Sequence, residues 1–422
     1  MSGLQNTAAA ALSPRQATQL AASGLVLIAV AYGLARFAYG LFVPAFRAEF
    51  DLDPGVVGLI GSSSYVAYCL AIYPAMMLTP RLGSRTMAII TGALATLGTA
   101  LVGLAPHETV LAVGVVLAGM STGLASPPLA HAVSARVARS RRDRVQTIIN
   151  AGTGLGVAVS GPVALLTLAH WRSAWLIFAA VALIATLWTA RSVPHARVPQ
   201  SRAEQSRTAH PGGIGQLLRS LLPDPLLPDG ALRLHATAVL MGAATAAVWV
   251  FGQDVLIDSG GQSQFTATAA WSVLGLCGLL GAAAGDIAHR VGLRAAWRAS
   301  AALIVLATAV IGVLPGEAAL SVLASGAFGA AYIGMSGLIL ISAAATYHQQ
   351  PAAGVGLAFL MLALGQSIGG SLVGGLLGWA GAVAAFAAAA GVGLVSAALA
   401  PKHLIGPHTR ELRTVTPQAQ LS

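Results

Sequence analysis

Long apolar runs separated by short polar segments recur along almost the whole chain. A helix that crosses a bilayer needs about 20 predominantly apolar residues, and twelve runs meet that requirement. They lie near residues 20–43, 55–78, 86–105, 110–132, 146–168, 173–190, 235–257, 265–287, 296–314, 318–343, 353–376 and 381–400. The short alternating segments typical of a membrane β-barrel do not occur. The pattern predicts an all-α membrane protein with twelve spans.

The composition supports a lipid environment. Of the 422 residues, 56% are hydrophobic and 9% are charged, with a mean hydropathy of +0.77. Soluble domains carry about 25% charged residues, and a soluble fold of this length could not bury so much apolar surface. Cys69 and Cys277 lie inside predicted spans, so we interpret them as small buried side chains rather than a disulfide. The first run is too long for a cleavable signal peptide and is expected to remain as a helix.

The basic residues are distributed unevenly between the two sides of the predicted membrane. The formal net charge is +10, from 23 basic and 13 acidic residues. If the N-terminus is cytoplasmic, every basic residue except Arg36, Arg47 and Arg172 belongs to a cytoplasmic segment. This asymmetry fits the positive-inside rule and explains the charge without a nucleic-acid partner. We therefore expect a multi-pass protein of the bacterial inner membrane with both termini in the cytoplasm.

The longest polar stretch divides the spans into two sets of six. The predicted organisation is a cytoplasmic tail over 1–19, a six-helix bundle over 20–190, a cytoplasmic linker over 191–234, a second six-helix bundle over 235–400 and a second tail over 401–422. The linker is rich in Arg, Pro, Ser and Gly, with a short interfacial helix expected near 214–222.

The two halves repeat each other at an offset of 209 residues. Pro80-Arg81-Leu82-Gly83-Ser84-Arg85 follows the second span, and His289-Arg290-Val291-Gly292-Leu293-Arg294 follows the eighth. Both segments have the form x-Arg-aliphatic-Gly-x-Arg. The same offset carries Ser160-Gly161-Pro162 of the fifth span onto Gly369-Gly370-Ser371 of the eleventh. Matches in corresponding elements at one offset indicate a duplicated six-helix unit.

Twelve spans in a 6+6 plan, a basic middle loop and these Gly-Arg loops resemble the major facilitator superfamily over residues 20–400. The Arg36-Phe37-Ala38-Tyr39 segment and Gly365-Gln366-Ser367-Ile368-Gly369 resemble a bacterial branch of permease-like proteins within it. The resemblance implies two pseudo-symmetric six-helix bundles that transport a small molecule by rocker-switch alternating access.

The family's conserved loops imply a conformational role for one set of residues here. These are Arg81, Gly83, Arg85, Asp286, Arg290, Gly292 and Arg294. The family places an aspartate before the first arginine, where it helps to latch the outward-open state. Pro80 and His289 replace that aspartate in the two copies, which puts the latch in doubt. Asp286, one turn earlier in the second copy, is the carboxylate that could substitute for it.

The fifth span contains glycines that resemble the antiporter motif of drug exporters. They are Gly152, Gly154, Gly156 and Gly161, followed by Pro162. The spacing matches the motif only in part, and the closing glycine pair is missing. Close packing of this span on a neighbouring helix is the alternative interpretation, and the one we favour.

Arg36 in the first span is the sharpest candidate for a binding residue. A guanidinium near the bilayer centre costs at least about 2.5–3.5 kcal/mol, so Arg36 should face a watery cavity or a carboxylate. Tyr32, Arg36 and Tyr39 follow a spacing of i, i+4 and i+7, which predicts one polar helix face. An arginine fork beside phenols suits a carboxylate or another planar anion. The alternative is a structural arginine held by helix-end carbonyls or by a protein carboxylate.

Proton coupling would use a titratable group inside the protein, and Asp254 and His131 are the candidates. The repeat pairs Asp254 with Ala45, which places it about 13 Å outward of Arg36 along the helix axis and argues against a direct pair. A solvated carboxylate at the periplasmic mouth is the alternative to a proton site. His131 and Asp286 are expected near the cytoplasmic boundary.

Further candidates for the substrate cavity are polar or aromatic residues within spans. They are Tyr68, Thr245, Trp249, Gln253, Tyr332 and Gln366, besides Ser64, Tyr65 and Trp271. Each has helix packing or interfacial anchoring as its alternative. Gln366 is the best of them, because a mid-span amide needs a partner.

No pattern of catalytic residues is found. The histidines lack metal-ligand spacing, and no phosphate-binding lysine follows a glycine-rich loop, so we expect no enzyme activity, metal or cofactor. The sequence predicts a monomeric secondary transporter of a small organic solute, an organic anion being favoured, with proton coupling open. The alternatives are a proton-antiport exporter of drugs or amphipathic metabolites and, in another class, a non-transporting membrane sensor or scaffold.

Overall fold

A computed structural model describes residues 12–167, 170–194 and 223–400 of the chain. This described part is helical and contains no strand. Eleven of its helices are long and apolar enough to cross a membrane. The first ten are α1 (Pro14–Phe50), α2 (Pro54–Leu82), α3 (Ser84–Gly103), α4 (Glu108–Arg136), α5 (Arg139–Thr167), α6 (Trp171–Ser192), α7 (Ala231–Ser259), α8 (Gln264–Val291), α9 (Leu293–Val313) and α10 (Ala318–Thr346).

The last long helix, Pro351–Ala398, comprises two spans. As one straight helix its 48 residues would extend about 72 Å, more than twice the thickness of the hydrocarbon core. Gly381 interrupts it with φ 80° and ψ 176°, a conformation open to glycine because it lacks a Cβ. We label the two parts α11 (351–380) and α12 (382–398). Twelve spans are therefore present, and the predicted all-α membrane fold is confirmed.

Some sequence predictions lie outside the described residues. They concern the chain before residue 12, most of the linker with its expected interfacial helix near 214–222, and the tail after residue 400. The turn between α5 and α6 is described only from residue 170 onward.

Helix starts follow local sequence signals. Ser13 forms a capping box with Gln16 at the start of α1, and Pro14 occupies the first helical turn. Before α2, an Asp53 carboxylate oxygen accepts the N–H of Val56 at 3.0 Å. Such caps satisfy backbone donors that a helix end leaves free.

The turns after α2 and α8 are structural copies of each other. Gly83 has φ 89° and ψ 152°, and Gly292 has φ 87° and ψ 144°. Their N–H groups donate to the carbonyls of Thr79 and Ala288, at 2.9 and 3.0 Å. Both residue pairs are 209 positions apart in sequence, and glycine is needed because φ is positive. The repeat seen in the sequence is thus also a repeat in backbone conformation. We call the end of the bundle that carries these two turns the basic end.

Glycines bring α1 close to α5, and the same arrangement recurs between α7 and α11. A Cβ at Gly156 would collide with the carbonyl of Ala29, and one at Gly365, 209 residues later, with the carbonyl of Val239. Gly152 lies equally close to the carbonyl of Leu25. Small residues allow such backbone approach in membranes, where dispersion contacts replace the hydrophobic effect as the driving force.

Helix pairs α2–α11 and α5–α8 join the two halves. Ser62 donates through Oγ to the carbonyl of Ser367 at 2.7 Å, and Trp271 donates through Nε1 to Ser160 Oγ at 3.1 Å. Between α1 and α7, a Cβ at Gly40 would collide with the carbonyl of Trp249. The halves therefore meet tightly from the centre of the bundle toward the end opposite the basic end. We call this opposite end, which carries Arg47, the Arg47 end.

Candidate functional site at the interface of the halves

The guanidinium of Arg36 lies between the two halves and is almost fully enclosed. The residue is 6% exposed. Nη2 donates to Gln366 Oε1 of α11 at 3.1 Å. The guanidinium carbon lies 4.3 Å from the ring centre of Tyr65 and 4.8 Å from that of Tyr68, both in α2. Aromatic faces attract a cation by about 0.5–2 kcal/mol, but these rings and the amide carry no negative charge. The positive charge therefore has no counter-ion among these contacts.

None of the described carboxylates pairs with Arg36. The ion pairs between described residues use Arg47 and Arg172 instead. Arg36 Nε is buried and makes no hydrogen bond to any described residue. A buried charge is expensive unless an opposite charge and hydrogen bonds offset the loss of water. The arrangement can thus accept an anion.

A π-helical segment of α1, Ala29–Phe37, carries Arg36 and Tyr32. Hydrogen bonds in a π-helix span five residues instead of four, which changes the direction of the side chains that follow. Tyr32 remains near the site, with its hydroxyl 3.1 Å from Ser126 Oγ. Tyr39 departs from the predicted polar face, since its hydroxyl donates to the carbonyl of Val57 at 2.9 Å.

Gln366 connects Arg36 to the second half. It is 1% exposed, and its Nε2 donates to the hydroxyl of Tyr332 in α10 at 3.0 Å. Arg36, Gln366 and Tyr332 therefore form one hydrogen-bonded chain from α1 through α11 to α10. Three residues that the sequence analysis named as separate binding candidates are thus linked by hydrogen bonds.

Aromatic rings surround that chain on the side of the second half. Phe37 of α1 stacks on Trp249 of α7, with ring centres 4.0 Å apart and planes inclined by 27°. Trp249 meets Tyr332 edge to face at 5.1 Å. The indole Nε1 of Trp249 is buried without a hydrogen-bond partner in the described residues. The site thus combines one cation, one amide and a wall of rings.

Two candidates in α7 have other contacts. Thr245 donates through Oγ1 to the carbonyls of Met241 and Gly242 in its own helix, both at 3.0 Å. Gln253 donates to Thr268 Oγ1 at 3.2 Å beside a small void of about 10 Å³. That volume suits a single water molecule rather than a substrate.

Asp254 is buried and paired across the halves. Its carboxylate accepts a hydrogen bond from Arg47 Nη1 at 2.7 Å, and its side chain is 2% exposed. Asp258 lies 3.8 Å from the same nitrogen but is 68% exposed. The interpretation of Asp254 as a solvated carboxylate is therefore wrong for this conformation. The expectation that Asp254 does not pair with Arg36 agrees with the structure.

His131 and the loop residues lie at the basic end. His131 Nδ1 is 3.0 Å from Ser84 Oγ, and Arg85 Nε donates to the carbonyl of Val193 at 2.8 Å. Arg81, Asp286 and Arg290 are exposed. Among the described residues, no group of three or more His, Cys, Asp or Glu side chains could hold a metal ion.

The glycines of α5 lie against two neighbouring helices. Gly152 and Gly156 face α1, as described above. Gly161 faces α8, where a Cβ would collide with Ser272 Oγ. Pro162 next to it is exposed. This geometry is the close packing that was the favoured interpretation of the motif.

The prediction missed Phe37 and Arg47 and left Tyr65 among the lesser candidates. Tyr65 and Tyr68 are three residues apart on one helix, which places them on one face, and Phe37 is the neighbour of Arg36. For Arg47 the signal was the repeat itself. Asp254 corresponds to Ala45, and this relation places the carboxylate within one helical turn of Arg47.

Twelve spans in two duplicated halves, with a buried cation between them, define a multi-pass membrane protein of the transporter class. The sequence matches the family model described as Major Facilitator Superfamily over residues 25–370, and the chain belongs to this superfamily. It is therefore a transporter and not an enzyme.

Solved structures of other transporters share the fold. A point mutant of the nucleoside transporter NupG superposes with a TM-score of 0.71 at 16% identity, over 90% of this chain and 98% of that one. An inward-facing, unoccupied bacterial homologue of the human lysosomal transporter Spinster superposes with a TM-score of 0.68 at 14% identity, over 92% of this chain and 97% of that one. A POT family transporter in complex with 5-aminolevulinic acid gives 0.71 at 14% identity, over 92% and 95%. No curated protein matches the chain by sequence. At these identities the likeness establishes the fold alone.

Proposed function

We propose that this protein is a secondary transporter of a small organic anion. The observation that carries the proposal is the guanidinium of Arg36, buried between the halves, with an unbonded Nε and no described carboxylate beside it. A guanidinium binds a carboxylate through two parallel hydrogen bonds, and this geometry favours planar anions. A transported anion would supply the charge that the protein itself leaves out.

The proposed movement is a rocking of residues 20–190 against residues 235–400. Arg36 belongs to the first of these bodies and Gln366 to the second, so a ligand at Arg36 touches both. Alternating access of this kind is the general mechanism of transporters built from repeated bundles. The proposed setting is the bacterial inner membrane, with a monomer in the bilayer and both termini in the cytoplasm.

Protons are the proposed coupling ion, and Asp254 is the proposed site. Its carboxylate closes the Arg47 end by pairing with Arg47 at 2.7 Å. Opening that end would separate the pair and give the carboxylate access to protons, so that a bound proton could replace Arg47 as its partner. The exposed neighbour Asp258 lacks this change of environment.

Thermal stability of purified protein with organic acids, amines and neutral solutes tests the anion site. A ligand at 100 times its Kd stabilises the folded state by about 2.7 kcal/mol. We expect acids to raise the Tm of the wild type and to have no such effect on Arg36→Gln, which keeps a polar side chain but removes the charge. Arg36→Lys, which keeps the charge without the fork, should retain weakened binding.

Proteoliposome uptake of any acid that stabilises the protein then measures transport. Acids that stabilise Arg36→Gln as strongly as the wild type would contradict the proposal, as would stabilisation of both proteins by amines or neutral solutes alone. In either case Arg36 would be a structural residue.

A further inference from the structure

The two halves touch at the centre of the bundle through two kinds of contact that a ligand could replace. One is the hydrogen bond from Arg36 of α1 to Gln366 of α11, at 3.1 Å. The other is the stack of Phe37 of α1 on Trp249 of α7, at 4.0 Å. These four residues are between 1% and 6% exposed. In this conformation the protein fills its own centre with an acceptor for the guanidinium and with a pair of stacked rings.

We propose that Gln366 and the Phe37–Trp249 stack occupy the place of the substrate, and that the substrate is a monocarboxylate with a planar aromatic ring. The carboxylate would displace the Gln366 amide from Arg36, and the ring would separate Phe37 from Trp249. This inference rests on the proposed function, since it takes Arg36 as the anion site.

A carboxylate is a better hydrogen-bond acceptor for Arg36 than the Gln366 amide, because it is charged. Gln366 offers Arg36 a neutral oxygen, whereas hydrogen bonds between ionised partners are roughly twice as strong. A carboxylate also brings a second oxygen, and Arg36 Nε is a buried donor without a partner in the described residues. Gln366 has a second partner besides Arg36, because its Nε2 donates to the Tyr332 hydroxyl at 3.0 Å. A carboxylate therefore satisfies the guanidinium better than the amide does.

The distances and shapes of the aromatic side chains favour a substrate with a planar ring close to its carboxylate. The guanidinium carbon of Arg36 lies 5.3 Å from the ring centre of Phe37. A ring that enters the Phe37–Trp249 stack must consequently be within a bond or two of the carboxylate. Trp249 is already held by edge contacts with Tyr332 at 5.1 Å and Trp271 at 5.9 Å. A flat ring between such walls gains stacking contacts that a puckered ring of the same size cannot make.

The burial of basic side chains limits the substrate to one negative charge. Arg36 is the one Lys or Arg that is buried in the described residues. The other basic group that lies between the halves, Arg47, is already paired with Asp254. A second carboxylate on the substrate would therefore be desolvated without a counter-ion, which is strongly unfavourable.

Binding of four small probes to the purified full chain tests the ligand chemistry. The probes are benzoate, cyclohexanecarboxylate, benzyl alcohol and phthalate, and the readouts are the shift in Tm and quenching of tryptophan fluorescence. We expect benzoate to bind and cyclohexanecarboxylate to bind about tenfold more weakly. Benzyl alcohol lacks the charge and phthalate carries a second one, so both should bind at least about tenfold more weakly than benzoate.

Two variants of one residue test the role of Gln366. Gln366→Leu removes the competing acceptor and should tighten benzoate binding by about tenfold. Gln366→Glu has nearly the same shape but supplies a permanent carboxylate to Arg36, so it should abolish benzoate binding. If Gln366→Leu fails to fold, Gln366→Glu decides alone.

The outcomes separate this inference from the proposed function. Binding that survives in Arg36→Gln would overturn the proposed function and this inference with it. A Tm that no acid raises would do the same. Arg36-dependent binding that weakens in Gln366→Leu, or persists in Gln366→Glu, would overturn only the inference, since Gln366 would then contact the substrate directly or act in packing. Equal binding of benzoate and cyclohexanecarboxylate would overturn the requirement for a planar ring.

Discussion

Asp254 is the residue through which proton coupling can be tested most directly. Its carboxylate is buried in the described structure and bonded to Arg47 of the other half. Asp254→Asn keeps an oxygen that accepts from Arg47 but cannot titrate. We expect this variant to lose uptake driven by a proton gradient while it keeps substrate exchange, because exchange requires no net proton movement. Uptake into proteoliposomes with and without an imposed pH gradient measures both.

Asp258→Asn is the matched control for that experiment. Asp258 is near the same arginine, at 3.8 Å, but is 68% exposed, so its carboxylate already meets water while this end is closed. The control should keep gradient-driven uptake. Asp254→Asn that still responds to the gradient would limit the Arg47–Asp254 pair to closing that end of the protein.

Individual residues of the site were predictable to different degrees. Arg36 and Gln366 stand out in the sequence because each places a polar group within a long apolar run, and such groups need partners. Which partner each one finds depends on the docking of the halves, which no local pattern encodes. Tyr39 turned toward Val57 because the helix widens into π geometry before it, and helical spacing assumed a regular α-helix.

At the scale of elements, apolar run length identified the spans, and the duplicated glycines set how they pack. The prediction of twelve spans succeeded because lipid forces backbone hydrogen bonds to be satisfied within each helix. The continuous helix from Pro351 through Gly381 to Ala398 shows where run length is less informative. There one glycine with positive φ redirects the chain, and a run of apolar residues does not reveal that change.

Gly156 is where the contact between α1 and α5 can be tested. A Cβ there would collide with the carbonyl of Ala29 and lie 2.9 Å from the Cα of Gly33. We expect Gly156→Ala to destabilise the protein by about 1–3 kcal/mol through overpacking. A lowered Tm in detergent is the measurement.

Gly375 in α11 provides the control, because a Cβ there meets nothing within 4 Å. Gly375→Ala should leave the Tm unchanged or raise it, since alanine favours a helix over glycine by about 0.5–1 kcal/mol. Equal effects of the two substitutions would show that helix propensity, and not the close approach of α1 and α5, decides the outcome.

At the scale of the whole molecule, charge separates the two ends of the bundle. The described basic loops lie at the basic end, with Arg81, Arg85, Arg290 and Arg294 among their residues. Of the three exceptions in the sequence analysis, Arg36 lies at the centre of the bundle. The other two lie at the opposite end, and both are paired there: Arg47 with Asp254 at 2.7 Å and Arg172 with Glu49 at 2.9 Å. Positive charge thus gathers at one end, as expected for the cytoplasmic side.

Cysteine labelling in intact cells tests this orientation, because an impermeant maleimide reaches only the outer surface. With Cys69 and Cys277 replaced by alanine, His107→Cys in the turn before α4 should be labelled from outside. His348→Cys, between α10 and α11, should be labelled only after the membrane is permeabilised. Both positions are exposed, so a difference in labelling reports their side of the membrane and not burial. The reverse pattern would place the basic end outside. The prediction that both termini lie in the cytoplasm would then be wrong, and Asp254 would receive protons from the cytoplasmic side instead of the outer side.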